Sequence, residues 1–182
     1  MDPIVLASAS PQRSAILTQL GVPFVTRPSG VEEIEDGEPE HVALENARRK
    51  ATAVPGDHVL GVDTVVALDG RLYGKPRDEP DARATLQALG GRTHTVHSGL
   101  VLTNVGEAVE ATRVTFRPLD DALVDWYLAA GEWRDRAGGY AIQGRGAALV
   151  RRIDGDYGNV VGLPVPALLG LLRTLEFPGK SA

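Results

Sequence analysis

Apolar positions along this chain switch between strand-like runs and helix-like spacing. Ile4-Val5-Leu6-Ala7 is a continuous apolar run that breaks at Ser8-Ala9-Ser10-Pro11-Gln12-Arg13 as a helical pattern begins, with Ile16, Leu17 and Leu20 on one face and Gly21 and Pro23 as stops. A short strand near Phe24-Val25 leads to an acidic loop over 32–38. A helix is predicted from about Pro39 to Ala53, with Ala43, Ala47 and Val54 facing inward. The most apolar strand runs from Val59 to Leu68 and closes at Asp69-Gly70, a two-residue hairpin signal, onto the short partner Arg71-Leu72-Tyr73. After a helix near Pro80 to Leu89, two alternating segments, Thr93 to Leu102 and Ala108 to Arg117, read as an antiparallel pair turning at Asn104-Val105-Gly106. A helix near Asp120 to Ala130, a strand over Ala147 to Ile153, an Asp154-Gly155 turn and a helix from about Pro166 to Leu175 complete the pattern. The ends, Met1-Asp2 and Gly179 to Ala182, read as frayed. Hairpins interleaved with helices predict an α/β or α+β fold with a mixed sheet.

With 182 residues the chain has room for one well-formed core, so a single domain over 1–182, in at most two lobes, is expected. A net charge of −5 argues against a general nucleic-acid binder, which needs a basic face. An anionic ligand must therefore be held by a local cluster of lysines and arginines, aided by a metal ion. There is no cysteine for a disulfide, a thiolate nucleophile or a zinc site. No apolar stretch approaches the roughly 20 residues of a membrane span, and Met1-Asp2-Pro3 lacks the basic start of a signal peptide. Together these features point to a cytoplasmic protein that contacts neither membrane nor nucleic acid.

Ser10 is suited to cap a helix and Pro11 to its first turn. Ser8, Ser10, the free amides beyond them, the helix dipole and Arg13 make a corner that favours an anion, although an ordinary strand, cap and helix would look the same. Asp63 interrupts an apolar run that otherwise reads as a strand buried on both faces. Such an aspartate needs a cation, a metal or hydrogen-bond donors, unless it lies at a strand edge in water. Gly61, two residues earlier, offers close approach of a ligand to the backbone. Lys50 falls on the inward side of its helix, from which a lysine can also snorkel to solvent. Lys75, between Gly74 and Pro76, is aimed by a rigid setting, and Glu33 either belongs to a solvated acidic loop or joins Asp63 around a hard divalent cation. The glycine-rich stretch 138–146 lacks the spacing of a P-loop. His94 and His97, three apart in a strand, face opposite sides, and Trp126 and Trp133 read as core or interface residues.

Eight short segments carry a resemblance: Leu-Ala-Ser-Ala-Ser-Pro-Gln-Arg (6–13), Val-Glu-Glu (31–33), Ala-Arg-Arg-Lys-Ala (47–51), Gly-Val-Asp-Thr-Val-Val (61–66), Gly-Lys-Pro (74–76), Gly-Arg-Thr-His-Thr-Val (91–96), Ala-Gly-Gly-Tyr-Ala-Ile-Gln-Gly (137–144) and Asn-Val-Val-Gly-Leu-Pro (159–164). In this order the chain resembles the Maf family of nucleoside triphosphate pyrophosphatases. The resemblance implies an α/β fold in which a mixed, twisted sheet flanked by helices forms two lobes around a cleft. It implies a divalent cation, Mg²⁺ or Mn²⁺, a nucleoside triphosphate substrate, a homodimer, and hydrolysis to the monophosphate plus pyrophosphate. By the same resemblance Asp63 is the catalytic aspartate and a metal ligand with Glu33, while Ser8, Ser10, Arg13, Lys50 and Lys75 grip the triphosphate. Asp63-Thr64 with Ile142-Gln143-Gly144 resembles the branch acting on dTTP and UTP, in which Thr64 and Gln143 help select the base. Gln12 stands where many of that branch carry an arginine tied to base selection, and Arg49 stands where a glutamate commonly precedes the lysine. The alternative function is a nucleotide-binding regulator of septum formation, which could dispense with the Asp63 carboxylate.

Overall fold

The computed structural model describes residues 2–175. The expected fraying of Met1 and of residues 179–182 lies outside the described residues. Strands β1 (Ile4–Leu6), β2 (Phe24–Thr26), β3 (Val59–Leu68), β4 (Arg71–Tyr73), β5 (Thr93–Leu102), β6 (Gly106–Phe116) and β7 (Val150–Asp154) form one mixed sheet in the order β2-β1-β3-β5-β6-β7, with β4 also paired to β3. Pairing is parallel in β2-β1-β3 and antiparallel from β3 onward. The helices are α1 (Pro11–Gln19), α2 (Pro39–Thr52), α3 (Glu79–Leu89), α4 (Asp121–Leu128), α5 (Tyr157–Val161) and α6 (Val165–Leu172).

β3 organises the molecule because it enters two separate hydrophobic cores. Leu60 and Val62 pack with Ile4, Leu6, Leu17, Leu100 and Leu168. Val66 and Leu68 pack with Leu86, Val96, Phe116, Tyr127 and Leu149. All four β3 residues share one face by the two-residue period of a strand, so Thr64 falls in the gap between the cores. Asp63 belongs to the opposite face, against which α2 packs.

That packing is unusually close. A Cβ on Gly61 would run into the Ala47 carbonyl and the Ala51 backbone, and one on Gly99, directly across from Asp63, into Ala43 and Leu44. Glycines in the sheet and alanines in the helix thus let the α2 backbone lie on β3 and β5. Gly61 therefore admits a helix, and not the ligand expected from the sequence.

The Asp69-Gly70 hairpin is formed as expected, with φ of 51° and 76°. The last third departs from expectation. Residues Arg145–Leu149 form a 3₁₀ helix, and the strand there is shortened to β7. Gly146 lies so near the Ala141 carbonyl that the segment curls onto its own loop and leaves no extended edge before Val150. α5 escaped the hydrophobic pattern because five residues cannot show a helical period. Its start is fixed instead by Asp156, which accepts the N–H groups of Gly158 and Asn159.

Candidate active site

The gap between the cores opens as a cleft of about 870 Å³, within the range that encloses a nucleotide-sized ligand. Every residue singled out from the sequence as a site candidate lines it. Ser8, Ser10, Gln12 and Arg13 come from the turn between β1 and α1, where Ser10 Oγ accepts the Arg13 N–H at 3.5 Å and donates to Gln12 Oε1 at 3.1 Å. Arg13 is buried: its guanidinium donates to Ser8 Oγ at 3.0 Å, Thr64 Oγ1 at 3.3 Å and the Gly162 carbonyl at 2.9 Å. Burial lowers its pKa from the ordinary arginine value, against the opposing fields of Asp63 and Glu33. Three bonds to three segments fix the fork and leave two of its five N–H groups for a ligand.

Asp63 is 6% exposed and far from the edge position that the sequence also allowed. The Lys50 ammonium donates to its Oδ1 at 2.5 Å and to the Val62 carbonyl at 3.5 Å, and pairs with Glu33 Oε1 at 2.6 Å. Lys50 therefore does not snorkel; its side chain is 10% exposed and its ammonium lies against three oxygens. Glu33 Oε2 also faces the Lys75 ammonium at 3.6 Å. Burial pushes the Glu33 carboxyl up, but Lys50, with smaller help from Lys75 and Arg13, more than offsets this and holds it below the usual range. Lys75 is held where the Gly74 carbonyl accepts the Gly138 N–H at 3.1 Å.

On the opposite wall, Gln143 is exposed in a loop set by Glu132, whose carboxylate accepts the Arg145 N–H at 2.7 Å and packs against Gly144. Thr64 shares a 2.8 Å hydrogen bond with buried Ser98, so its hydroxyl holds both Ser98 and Arg13. Trp133 is buried, whereas Trp126 is 44% exposed with the Arg145 guanidinium over its ring.

The oxygens of Asp63 and Glu33 converge on one cationic group, and among the described residues no cluster of three or more His, Asp or Glu side chains could hold a metal ion. Two carboxylates fit a hard divalent cation of the kind that completes its shell with substrate phosphates and water. They do not form a closed all-protein cage.

Sequence reasoning missed Asn46, Glu132 and Arg136. Asn46 lies one helical turn before Lys50, and a polar residue between Ala43 and Ala47 was the available signal. Arg136 lines the cleft with its buried Nε unpaired among the described residues.

A family model described as Maf-like protein matches residues 3–175. The chain belongs to the Maf family. Maf-family relatives named dTTP/UTP pyrophosphatase are 42% identical in Pyrococcus furiosus (95% of this chain and 95% of that protein), 47% in Anaeromyxobacter dehalogenans (96% and 95%) and 46% in Thermus thermophilus (96% and 96%). The solved structure of a HAM1 protein from Coxiella burnetii shares the fold of this Maf-family chain at a TM-score of 0.50, with 17% identity over 96% of this chain and 98% of that one.

Proposed function

We propose that this chain is a nucleoside triphosphate pyrophosphatase that hydrolyses dTTP and UTP to the monophosphate and pyrophosphate. The observation that carries the reading is the buried Asp63 carboxylate, held by Lys50 in a cleft walled by Ser8, Ser10, Arg13 and Lys75. The relatives named dTTP/UTP pyrophosphatase, aligned over nearly the whole chain, support the substrate class.

In this reading Ser8, Ser10, Arg13, Lys50 and Lys75 bind the triphosphate, and Asp63 orients a water and takes its proton. The water oxygen bonds to the α-phosphorus as the bond from that phosphorus to the α–β bridging oxygen breaks. Pyrophosphate leaves with the electron pair, its charge offset by Arg13, Lys50 and Lys75. Mg²⁺ or Mn²⁺, held by Asp63 and Glu33, would supply charge neutralisation for the phosphates and a more acidic bound water. Gln12, Thr64 and Gln143 select the base, Thr64 from a hydroxyl that also braces Arg13.

The same reading places a single-domain enzyme in the cytoplasm, as a homodimer that binds no nucleic acid. The net charge of −5 and the Maf-family resemblance support it, and no helix among the described residues is long and apolar enough to cross a membrane. Product analysis tests the chemistry. With Mg²⁺ or Mn²⁺ the protein should release pyrophosphate with dTMP or UMP, and Asp63→Asn should stay folded but lose activity on the order of 10²-fold or more. Orthophosphate with a nucleoside diphosphate as products would overturn the reading.

A further inference from the structure

Asn46 is 1% exposed on the α2 face that lies against β3. Its Oδ1 accepts the Ile34 N–H at 2.8 Å, and its Nδ2 donates to the Ile34 carbonyl at 3.0 Å and to Asp63 Oδ2 at 3.1 Å. Both amide protons are thereby committed. The two Asp63 oxygens are divided, Oδ1 to Lys50 and Oδ2 to Asn46, so the carboxylate is restrained at both ends. The two bonds to Ile34 fix the backbone immediately after Glu33.

We propose that Asn46 is a positioning residue that sets Asp63 and Glu33 in register for the reaction. The proposal rests on the pyrophosphatase reading of the cleft. The Ile34 pair staples the acidic loop but uses only one amide proton; the second proton is given to a different segment, the reacting group itself. The residue type follows from charge. A neutral amide fixes the second carboxylate oxygen by hydrogen bonding without adding to the positive charge that Lys50 already places at Oδ1. An aspartate at this position would repel Asp63, and a lysine or arginine would add a second cation to the one Lys50 already supplies.

Asn46→Asp and Asn46→Ala separate the two tasks. The aspartate keeps an acceptor for the Ile34 N–H but loses the donor to Asp63; the alanine loses both. Three quantities are read for each variant and for wild type: steady-state dTTP hydrolysis with Mn²⁺, Ile34 amide exchange by NMR, and Mn²⁺ binding by electron paramagnetic resonance. For Asn46→Asp, kcat should fall about 10- to 100-fold while KM stays within about 3-fold, because Ser8, Arg13 and Lys75 are untouched. Ile34 protection should persist in Asn46→Asp and vanish in Asn46→Ala, whose Mn²⁺ affinity should drop about 10-fold. Folded variants with wild-type kcat, or a loss confined to KM, would overturn the proposal. Should Asn46→Asp fail to fold, the kcat and Mn²⁺ affinity of Asn46→Ala decide. Should wild type release no pyrophosphate, the reading of the cleft fails, and unchanged Mn²⁺ binding in Asn46→Ala would then also remove the positioning role.

Discussion

The Lys50 ammonium stands 2.5 Å from Asp63 Oδ1, and both side chains are about nine-tenths buried. Removing one partner of such a pair leaves an uncompensated charge and costs roughly 3–5 kcal/mol. Glu33, the third member, loses the same partner, so removal of Lys50 leaves two carboxylates facing each other, although Glu33 is one-third exposed to water. Lys50→Met, which keeps the hydrocarbon stem, is therefore expected to lose about 3 kcal/mol in urea unfolding. Saturating Mn²⁺ should restore part of the loss, because the vacated position lies between two carboxylates. A loss under about 1 kcal/mol would show that water already satisfies the acids.

Burial of a neutral His94 couples stability to acid pH. It lies in the core between the rings of Phe116 and Tyr140, with Nε2 2.9 Å from the Tyr140 hydroxyl and Nδ1 unpaired among the described residues. Burial lowers its pKa from 6.5 to about 4. The unfolded chain therefore binds a proton that the fold refuses between these values. The stability that follows from a neutral His94 is complete above pH about 6.5 and falls by about 3 kcal/mol as the pH drops towards 4. Glu33 acts in a lower window: its contribution is present above its ordinary value of 4.5 and is lost as the pH falls through its depressed folded value. Urea midpoints should decline more steeply between pH 7 and 5 in wild type than in His94→Gln, which keeps a polar partner for Tyr140; His97, whose pKa burial also lowers, supplies the remaining slope. Parallel declines in both proteins would assign the slope to other groups.

Most of the architecture was written in the hydrophobic period, and the exceptions share a cause. The Asp69-Gly70 hairpin and the α2 limits depend on neighbours in sequence, so they could be read. The curl over Arg145–Leu149 depends on Gly146 meeting Ala141 and on the Glu132 carboxylate gripping the Arg145 N–H, contacts that no period encodes. The same holds for the site. Asp63 was visible as a charge inside an apolar run, because burial writes itself into sequence as a contradiction. Glu132 is no contradiction in its own segment and Asn46 is marked only as a polar residue between two inward alanines, so only the folded chain shows what they hold.

Gly144 ties the loop that carries Gln143 to Glu132. A Cβ there would push aside the flexible Glu132 carboxylate and so break its hold on the Arg145 N–H. Gly144→Ala should displace Gln143 and raise KM for dTTP and UTP about 10-fold while kcat changes little, narrowing the advantage over other nucleoside triphosphates. A folded Gly144→Ala with unchanged KM values across a substrate panel would remove Gln143 from base selection.

Gly61 tests whether the site depends on how closely α2 approaches the sheet. It lies two residues before Asp63 on the same strand face, under Ala47 and Ala51, so any side chain lifts the helix that carries both Lys50 and Asn46. The obstruction is backbone and cannot rotate away. Gly61→Ala is expected to destabilise the fold by about 3 kcal/mol, the upper end for overpacking a tight core, and to reduce kcat disproportionately at temperatures where the protein remains folded. Gly170→Ala is the control: the same change on α6 meets no atom within 4 Å, and a helical alanine is favourable, so stability and kcat should hold or improve slightly. If Gly61→Ala keeps wild-type kcat despite a lowered unfolding midpoint, the acid cluster tolerates a shifted α2. The catalytic geometry would then reside in β3 and the Glu33 loop alone.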